Sequence, residues 1–406
     1  MHVLLVEPRF PSNQRQFARA LFSVGARVTG IGEAPIEHLD AELRGWLYGY
    51  ERVRSVVDEG ALLDAVRRVQ RREWVDRLEA TVEAHILTTA RVREAAGIPG
   101  TSVRTAYLCR DKPAMKEALR AAGIPTARSA GCSSSDELRE FAESTGFPLI
   151  LKPRDAAGAS GTERLDSAGQ LEAAIERWGL DRGGSVAVEE FVEGHEGFWD
   201  TMSIGGTATH EFISHYYPNV LEAMRTRWIS PQVVVTNRVD APGYGELREM
   251  GRKVIRALGI GTSATHMEWF FGPRGLKFSE IGCRPPGVGV WDLYCAANEF
   301  DLYREWAHAI VHGSPASAPS RRFAAGMIAL RPDRDGEIAG YSGVEEMFRE
   351  HGEWILDSHF PTPGTPTQPV EAGFMANAWV RARHPDFDAL RGILDAIGRT
   401  VHVYAR

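Results

Sequence analysis

Residues 264–282, ATHMEWFFGPRGLKFSEIG, decide how this chain is read. Ala264–Phe271 and Leu276–Ile281 have the aromatic and alternating character of strands, and turn residues separate them. A three-residue loop, Pro273-Arg274-Gly275, is a favoured hairpin connection, with Gly275 available for the left-handed position. That register pairs Gly272 with Leu276, and therefore Glu268 with Glu280. Directly opposed side chains have Cβ atoms about 4.5–5.5 Å apart, where like charges are destabilising. A hard divalent cation relieves the conflict, because Mg2+ is commonly bound through one or two carboxylates plus phosphate. The competing reading is a solvent-exposed hairpin with two incidental glutamates. His266 shares the face of Glu268, and Arg284 lies on the same side beyond Glu280 if the strand continues. Such an arginine either forms a structural ion pair or clamps a phosphoryl group with its planar fork.

Working outward, the upstream sequence supplies groups suited to phosphate. Lys152 ends the short apolar strand LILK, which directs an ammonium from a sheet into a cleft. Lys112 opens a helix in which Pro113 suits the first turn, and Gly123 with Pro125 stops it. Ser134 and Glu137 have capping-box spacing at the next helix. The loop 156–161, AAGASG, places Gly158, Ser160 and Gly161 where small residues let backbone N–H groups approach phosphate oxygens, though it is not a Walker A loop. In VAVEEFVEGHE, Glu189 and Glu196 are candidates to accept hydrogen bonds from an adenine amino group and ribose hydroxyls. For each acid taken singly, solvated surface is the competing reading.

The wider chain sets limits. Its 406 residues exceed one typical core, so two or three domains or lobes are expected. With 43% hydrophobic residues, 25% charged and a net charge of -7, it does not read as a general nucleic-acid binder. The opening run HVLLVEP is too short for a signal h-region, and no segment approaches the roughly 18 apolar residues of a membrane span. Cys109, Cys132, Cys283 and Cys295 show no CxxC spacing and read as reduced thiols, so a cytoplasmic location is the expectation. Strand, helix and strand at 2–7, Gln14–Val24 and Arg27–Gly32 indicate an α/β opening domain without a GxGxxG, and residues 60–96 read as mostly helical. Residues 218–245 read as a polar loop. In and beside it Tyr216, Tyr217, Arg225, Arg227 and Trp228 are candidates for substrate contact, as is Gly287 downstream.

Taken in order, DKPAMKEAL, FPLILKP with AAGASGT, VEEFVEGHE and THMEWFF…LKFSEIGCRPPG resemble the ATP-grasp superfamily, especially its carboxylate–amine ligases of the L-amino acid ligase kind. The resemblance implies an ATP-grasp fold: an N-terminal Rossmann-like domain over 1–105, a small lobe with a phosphate flap over 106–190, and a large lobe over 191–406 carrying the metal hairpin and a C-terminal extension. It implies that Lys112 and Lys152 contact the phosphates of ATP, with 156–161 as the flap above them. Glu189 and the main chain of Glu190 to Val192 fall beside the adenine, and Glu196 at the ribose. Glu268 and Glu280 become magnesium ligands, with Mn2+ as a substitute ion, and Arg284 stabilises the acylphosphate and tetrahedral intermediate. His266, Gly287 and Trp228 join Arg284 as substrate-binding candidates. One departure stands out: many relatives carry Asn two residues after the second metal Glu, where this chain has Gly282.

The implied reaction joins a small-molecule carboxylate to an amine through an acylphosphate, most simply forming a dipeptide. A purine-pathway-type ligase, an ATP-dependent carboxylase and a catalytically silent nucleotide-binding protein are the alternatives. Homodimers are common in such families, but no interface signature is visible in the sequence.

Overall fold

In the computed structural model, which describes residues 1–154 and 161–406, His2–Val6 is buried along its whole length. A strand covered on both faces belongs in a parallel sheet. It lies between Arg27–Gly32 and Arg77–Glu79, both parallel to it, and Gly49–Arg52 completes the four-stranded order. The expected helical stretch 60–96 is therefore broken. Glu59–Gln70 and Ile86–Ala96 are helices, but Arg77–Glu79 is a strand of three residues, too short to leave a period in the sequence.

A second sheet has four antiparallel strands in the order Ser129–Cys132, Val186–Glu190, Leu149–Lys152, Glu163–Leu165. Helices Ser135–Thr145 and Ala168–Trp178 cover one face, burying Leu138, Leu171 and Ile175 against Leu149, Leu151 and Val188. Ser134 caps the first helix by accepting from Glu137 N, while Glu137 reaches back to Ser133 N at 2.6 Å. Helix Lys112–Ala121 starts on Asp111, with Pro113 in its first turn as expected.

The third sheet has eight antiparallel strands: Gly275–Gly282, Ser263–Gly272, His195–Ile204, Thr207–Tyr217, Gln232–Thr236, Ala324–Leu330, Ala378–His384 and Ile355–His359. The expected polar loop 218–245 is thus corrected. It contains a short helix, Val220–Ala223, and the central strand Gln232–Thr236, every residue of which is buried. The β-branched run Val233–Val235 belongs in a sheet interior, and the polar residues around it masked the signal. Helix Gly245–Leu258 packs on this sheet over Trp199, which is 0% exposed. The N-terminal helix Gln14–Ser23 is fixed to the large sheet's helices through Phe17, whose ring lies 5.0–5.2 Å from Trp291, Tyr303 and Trp306.

The outer strand Gly275–Gly282 does not present a bare edge, because Phe278 N donates to Pro125 O at 2.8 Å and Thr126 bridges Phe278 in parallel. All four cysteines are free, with Cys109 and Cys283 buried and their Sγ atoms 2.9 Å apart. Among the described residues no helix is long and apolar enough to cross a membrane.

Candidate active site

Glu268 lies opposite Glu280 on the hairpin. The route to that pairing differs from the expected one. Gly272 pairs with Gly275 rather than Leu276, so the turn is Pro273-Arg274, with Gly275 left-handed at φ +76°. The register then shifts between Phe278 and Glu280, leaving Ser279 as an extra residue that brings the two acids back into opposition.

The rest of the face follows from the period of two along each strand. On the neighbouring strand Phe198 lies opposite Glu268, Asp200 opposite His266 and Glu196 opposite Phe270. Farther across, Tyr216 pairs with Val233, Val233 with Met327 and Met327 with Arg381. All of these except Phe198 and Asp200, which lie beneath, line one large cavity. Its other walls come from the four-stranded sheet (Ile150, Lys152, Glu189 to Val192), from helix Lys112–Ala121 and from the N-terminal segments Pro11–Gln14 and Thr81–Glu83.

At the charged end, Lys112 and Lys116 stand four residues apart on one helix face. Lys112 Nζ is 3.5 Å from Glu280 Oε2. Lys152 Nζ is 2.9 Å from Glu189 Oε2, while Glu189 Oε1 pairs with Lys116. Burial opposes the Glu189 charge, but the two ammonium groups outweigh it and hold the carboxyl down at about 2. Burial pulls Lys116 down to about 8, against the pull of Glu189. Lys152 faces the same burial, yet Glu189, Glu280 and Glu268 together raise it. Both oxygens of Glu189 are engaged by lysines, so this side chain is not open to an adenine amino group. Glu190, Phe191 and Val192 line the cavity beside it. Glu190 is anchored too, accepting from Arg128 N at 3.1 Å and from Arg274 Nη1 at 2.8 Å.

Glu196 accepts from Val220 N at 2.7 Å and also faces the cavity. Burial and the nearby Glu268 push it up to about 8. Burial likewise disfavours the charge on Glu268, but His266, Lys152 and Arg284 more than offset this and lower it. His266 stands between Asp200 Oδ1, at 2.8 Å from Nδ1, and Glu268 Oε1, at 3.6 Å from Nε2. Burial works against its protonation, yet Asp200 and Glu268 lift it to about 9. Asp200 is itself fixed by Tyr294, whose hydroxyl donates to Oδ2 at 2.7 Å.

Arg284 follows the end of the strand and lines the cavity. Its Nε donates to Glu83 Oε2 at 2.6 Å, and its Nη1 to the Pro285 carbonyl at 2.9 Å. Gly287, Tyr216 and Arg225 line the cavity as well. Trp228 does not: it is 87% exposed. Arg227 pairs with Asp335 at 2.6 Å, and Tyr217 lies beneath Arg391. Gly158 and Ser160 lie outside the described residues, whereas Gly161 is left-handed at φ +70° against Pro153.

Sequence reasoning missed Lys116 and Glu83. For Lys116 the spacing from Lys112 was the available signal, while nothing local marks Glu83.

The carboxylate pair fits a magnesium ion: two opposed acids, partly buried, beside three lysines able to meet phosphate. Among the described residues no group of three or more His, Cys, Asp or Glu forms a metal cage.

Residues 117–300 match the ATP-grasp domain family. This chain carries an ATP-grasp domain. The chain is 27% identical over 278 residues to the L-arginine-specific L-amino acid ligase of Bacillus subtilis, spanning 67% of this chain and 66% of that protein, just under two thirds. It is 26% identical over 365 residues to the formate-dependent phosphoribosylglycinamide formyltransferase of Bacteroides thetaiotaomicron, covering 86% and 90%. Among solved structures, an L-amino acid ligase from Bacillus licheniformis superposes with a TM-score of 0.78 at 17% identity, covering 100% of this chain and 98% of that one. An N5-carboxyaminoimidazole ribonucleotide synthetase from Thermotoga maritima gives 0.71, also at 17% identity, over 100% and 99%. At such identities the structural likeness speaks for the fold.

Proposed function

We propose that this ATP-grasp enzyme is an ATP- and magnesium-dependent ligase that joins an amino-acid carboxylate to an amine, releasing ADP and phosphate. The observation that carries the reading is Glu268 opposite Glu280 in the same cavity as Lys112, Lys116 and Lys152. In this reading residues 1–105 form the N-terminal domain, 106–190 the small lobe and 191–406 the large lobe, with ATP between the lobes.

Lys112 and Lys152 bind the phosphates, and the main chain from Glu190 to Val192 borders the base. Glu196 takes the ribose hydroxyls. Glu268 and Glu280 would hold magnesium, which would supply electrostatic stabilisation of the charge on the phosphates. The substrate carboxylate attacks the γ-phosphate of ATP, while Lys152 and Arg284 offset charge on the transferring phosphoryl group. The amine then attacks the acylphosphate and expels phosphate. The cavity walls keep water away from that intermediate. No protein nucleophile is needed.

ADP release measured with pooled amino acids, ATP and magnesium tests the reading, with mass spectrometry identifying the ligated product. Turnover that survives Glu280→Ala would sink the metal site, and absence of ATP binding by calorimetry would sink the ligase. A purine-pathway-type ligase is the second reading, favoured by the long match to the formyltransferase. A formate-dependent ADP burst without any amino-acid product would select it.

A further inference from the structure

Three distant segments meet beside Gly282. Glu83 opens a helical turn just after the strand Arg77–Glu79 of the N-terminal sheet, Arg110 precedes helix Lys112–Ala121, and Arg284 follows the strand bearing Glu280. Glu83 joins them: Oε1 accepts from Arg110 Nη1 at 3.0 Å and Oε2 from Arg284 Nε at 2.6 Å. The side chains of Glu83, Arg110 and Arg284 are 18%, 18% and 14% exposed, so this array is largely shielded from solvent. A carboxylate held by two guanidinium groups in such surroundings is far more sharply fixed than a surface ion pair.

Gly282 is what admits the array. A Cβ at this position would stand 3.0 Å from Glu83 Oε2 and 3.4 Å from both Cγ and Nε of Arg284. Gly282 alternates with Glu280 along the strand and lies opposite His266, so the space it leaves is on the same face as the paired acids. Any side chain here would push into the Glu83–Arg284 contact. The missing side chain is therefore not vacant room in this chain. It is the place where a carboxylate from the N-terminal sheet reaches the large sheet.

We propose that Glu83 is a positioning residue for the reaction: through the space left by Gly282 it holds the Arg284 guanidinium at the end of the acidic hairpin, aimed into the cavity. This rests on the ligase reading. The hydrogen bonds among the described residues use Nε and Nη1 of Arg284, which fixes the plane of the guanidinium and leaves its remaining edge to an anionic group in the cavity. A long side chain with several rotatable bonds does not hold such an aim unaided.

Glu83→Gln keeps the shape and removes the charge. The expected result is a fall in kcat of about 10- to 100-fold, the scale of a misplacement near 1 Å. ATP affinity by calorimetry should stay close to the parent value, Tm should fall because two shielded guanidiniums lose their shared counter-charge, and Glu83→Asp should recover part of kcat. Gly282→Ala should lower kcat in the same sense, and in a Glu83→Ala background it should cost little more, because the group it displaces is gone. Unchanged kcat in Glu83→Gln overturns the inference, as does a loss of ATP affinity as large as the loss of kcat. A crystal structure of Glu83→Gln needs no turnover: Arg284 displaced from Gly282 supports the inference, and Arg284 unmoved overturns it. If the parent protein turns over no amino acid, the substrate reading fails, and that structure still decides the role of Glu83.

Discussion

Lys152 Nζ lies 2.9 Å from Glu189 Oε2, a diagonal contact between neighbouring strands of the four-stranded sheet that also brings in Lys116 through the other oxygen. One carboxylate thus keeps two buried ammonium groups in place beside the acidic hairpin. The site depends on it without requiring it to touch a ligand.

Glu189→Gln leaves Lys116 and Lys152 buried without their shared counter-charge. Removing one partner of a buried pair costs about 3–5 kcal/mol, and urea denaturation at neutral pH should report a loss on that scale. The pH dependence has a definite sign. Glu189 drops from an ordinary 4.5 to about 2 on folding, so its contribution is complete above pH 4.5 and disappears as pH falls through 2. Over that window the stability of the variant should fall less steeply than that of the parent.

Lys152→Met is a different case. Glu189 retains Lys116, so the interior stays paired and the circular dichroism spectrum should be preserved. ATP affinity or turnover should drop by about 10- to 100-fold, the equivalent of losing one charged hydrogen bond. Calorimetry gives the first quantity and ADP release the second. A collapsed spectrum would mean that the lysine is structural.

Glu268→Gln and Glu280→Gln each remove one of the two opposed charges. The magnesium concentration for half-maximal ADP release should rise by at least about 10-fold, the lower end of what even outer-shell changes do to metal affinity. Without metal, the melting temperature of each variant should fall only slightly, because relief of the like-charge conflict across the strands offsets part of what is lost with His266 and Lys112. A melting loss comparable to that of Glu189→Gln would point instead to acids that act through ion pairs with the lysines.

Gly251→Ala sets two magnitudes against each other. Alanine gains about 1 kcal/mol over glycine inside a helix. Here its Cβ would come within 2.5 Å of the Trp199 ring, which is wholly buried and has nowhere to move. Overpacking of that kind costs about 1–3 kcal/mol, so the net change should be a lower Tm. A Tm equal to or above the parent's would show that the helix slides over the ring.

The hairpin shows how far the sequence can be read. Glu268 opposite Glu280 followed from local turn chemistry, yet the turn is one residue shorter than expected and the bulge at Ser279 restores the pairing. The right partners were reached by a wrong path. Strand Gln232–Thr236 stayed hidden because five residues between polar segments carry little periodic signal. Glu83, and the pairing of Glu189 with lysines, were opaque for another reason. Their partners lie 201 residues away for Glu83 and Arg284, and on another strand and a helix for Glu189. Spacing along a chain does not encode such meetings, which arise only when distant strands pair and elements pack.

The bond from Phe278 N to Pro125 O has a consequence for the molecule in company with its own kind. A long outermost strand with free amides is a template on which a second chain can add, the usual beginning of ordered aggregates. Here the template is blocked at its middle by the polypeptide's own connector, two residues before the strand's magnesium-ligand candidate. Colloidal behaviour and chemistry are therefore written into the same short strand. Mutations that loosen Pro125 or Thr126 should reveal themselves first in the clarity of a concentrated solution, before any assay of turnover.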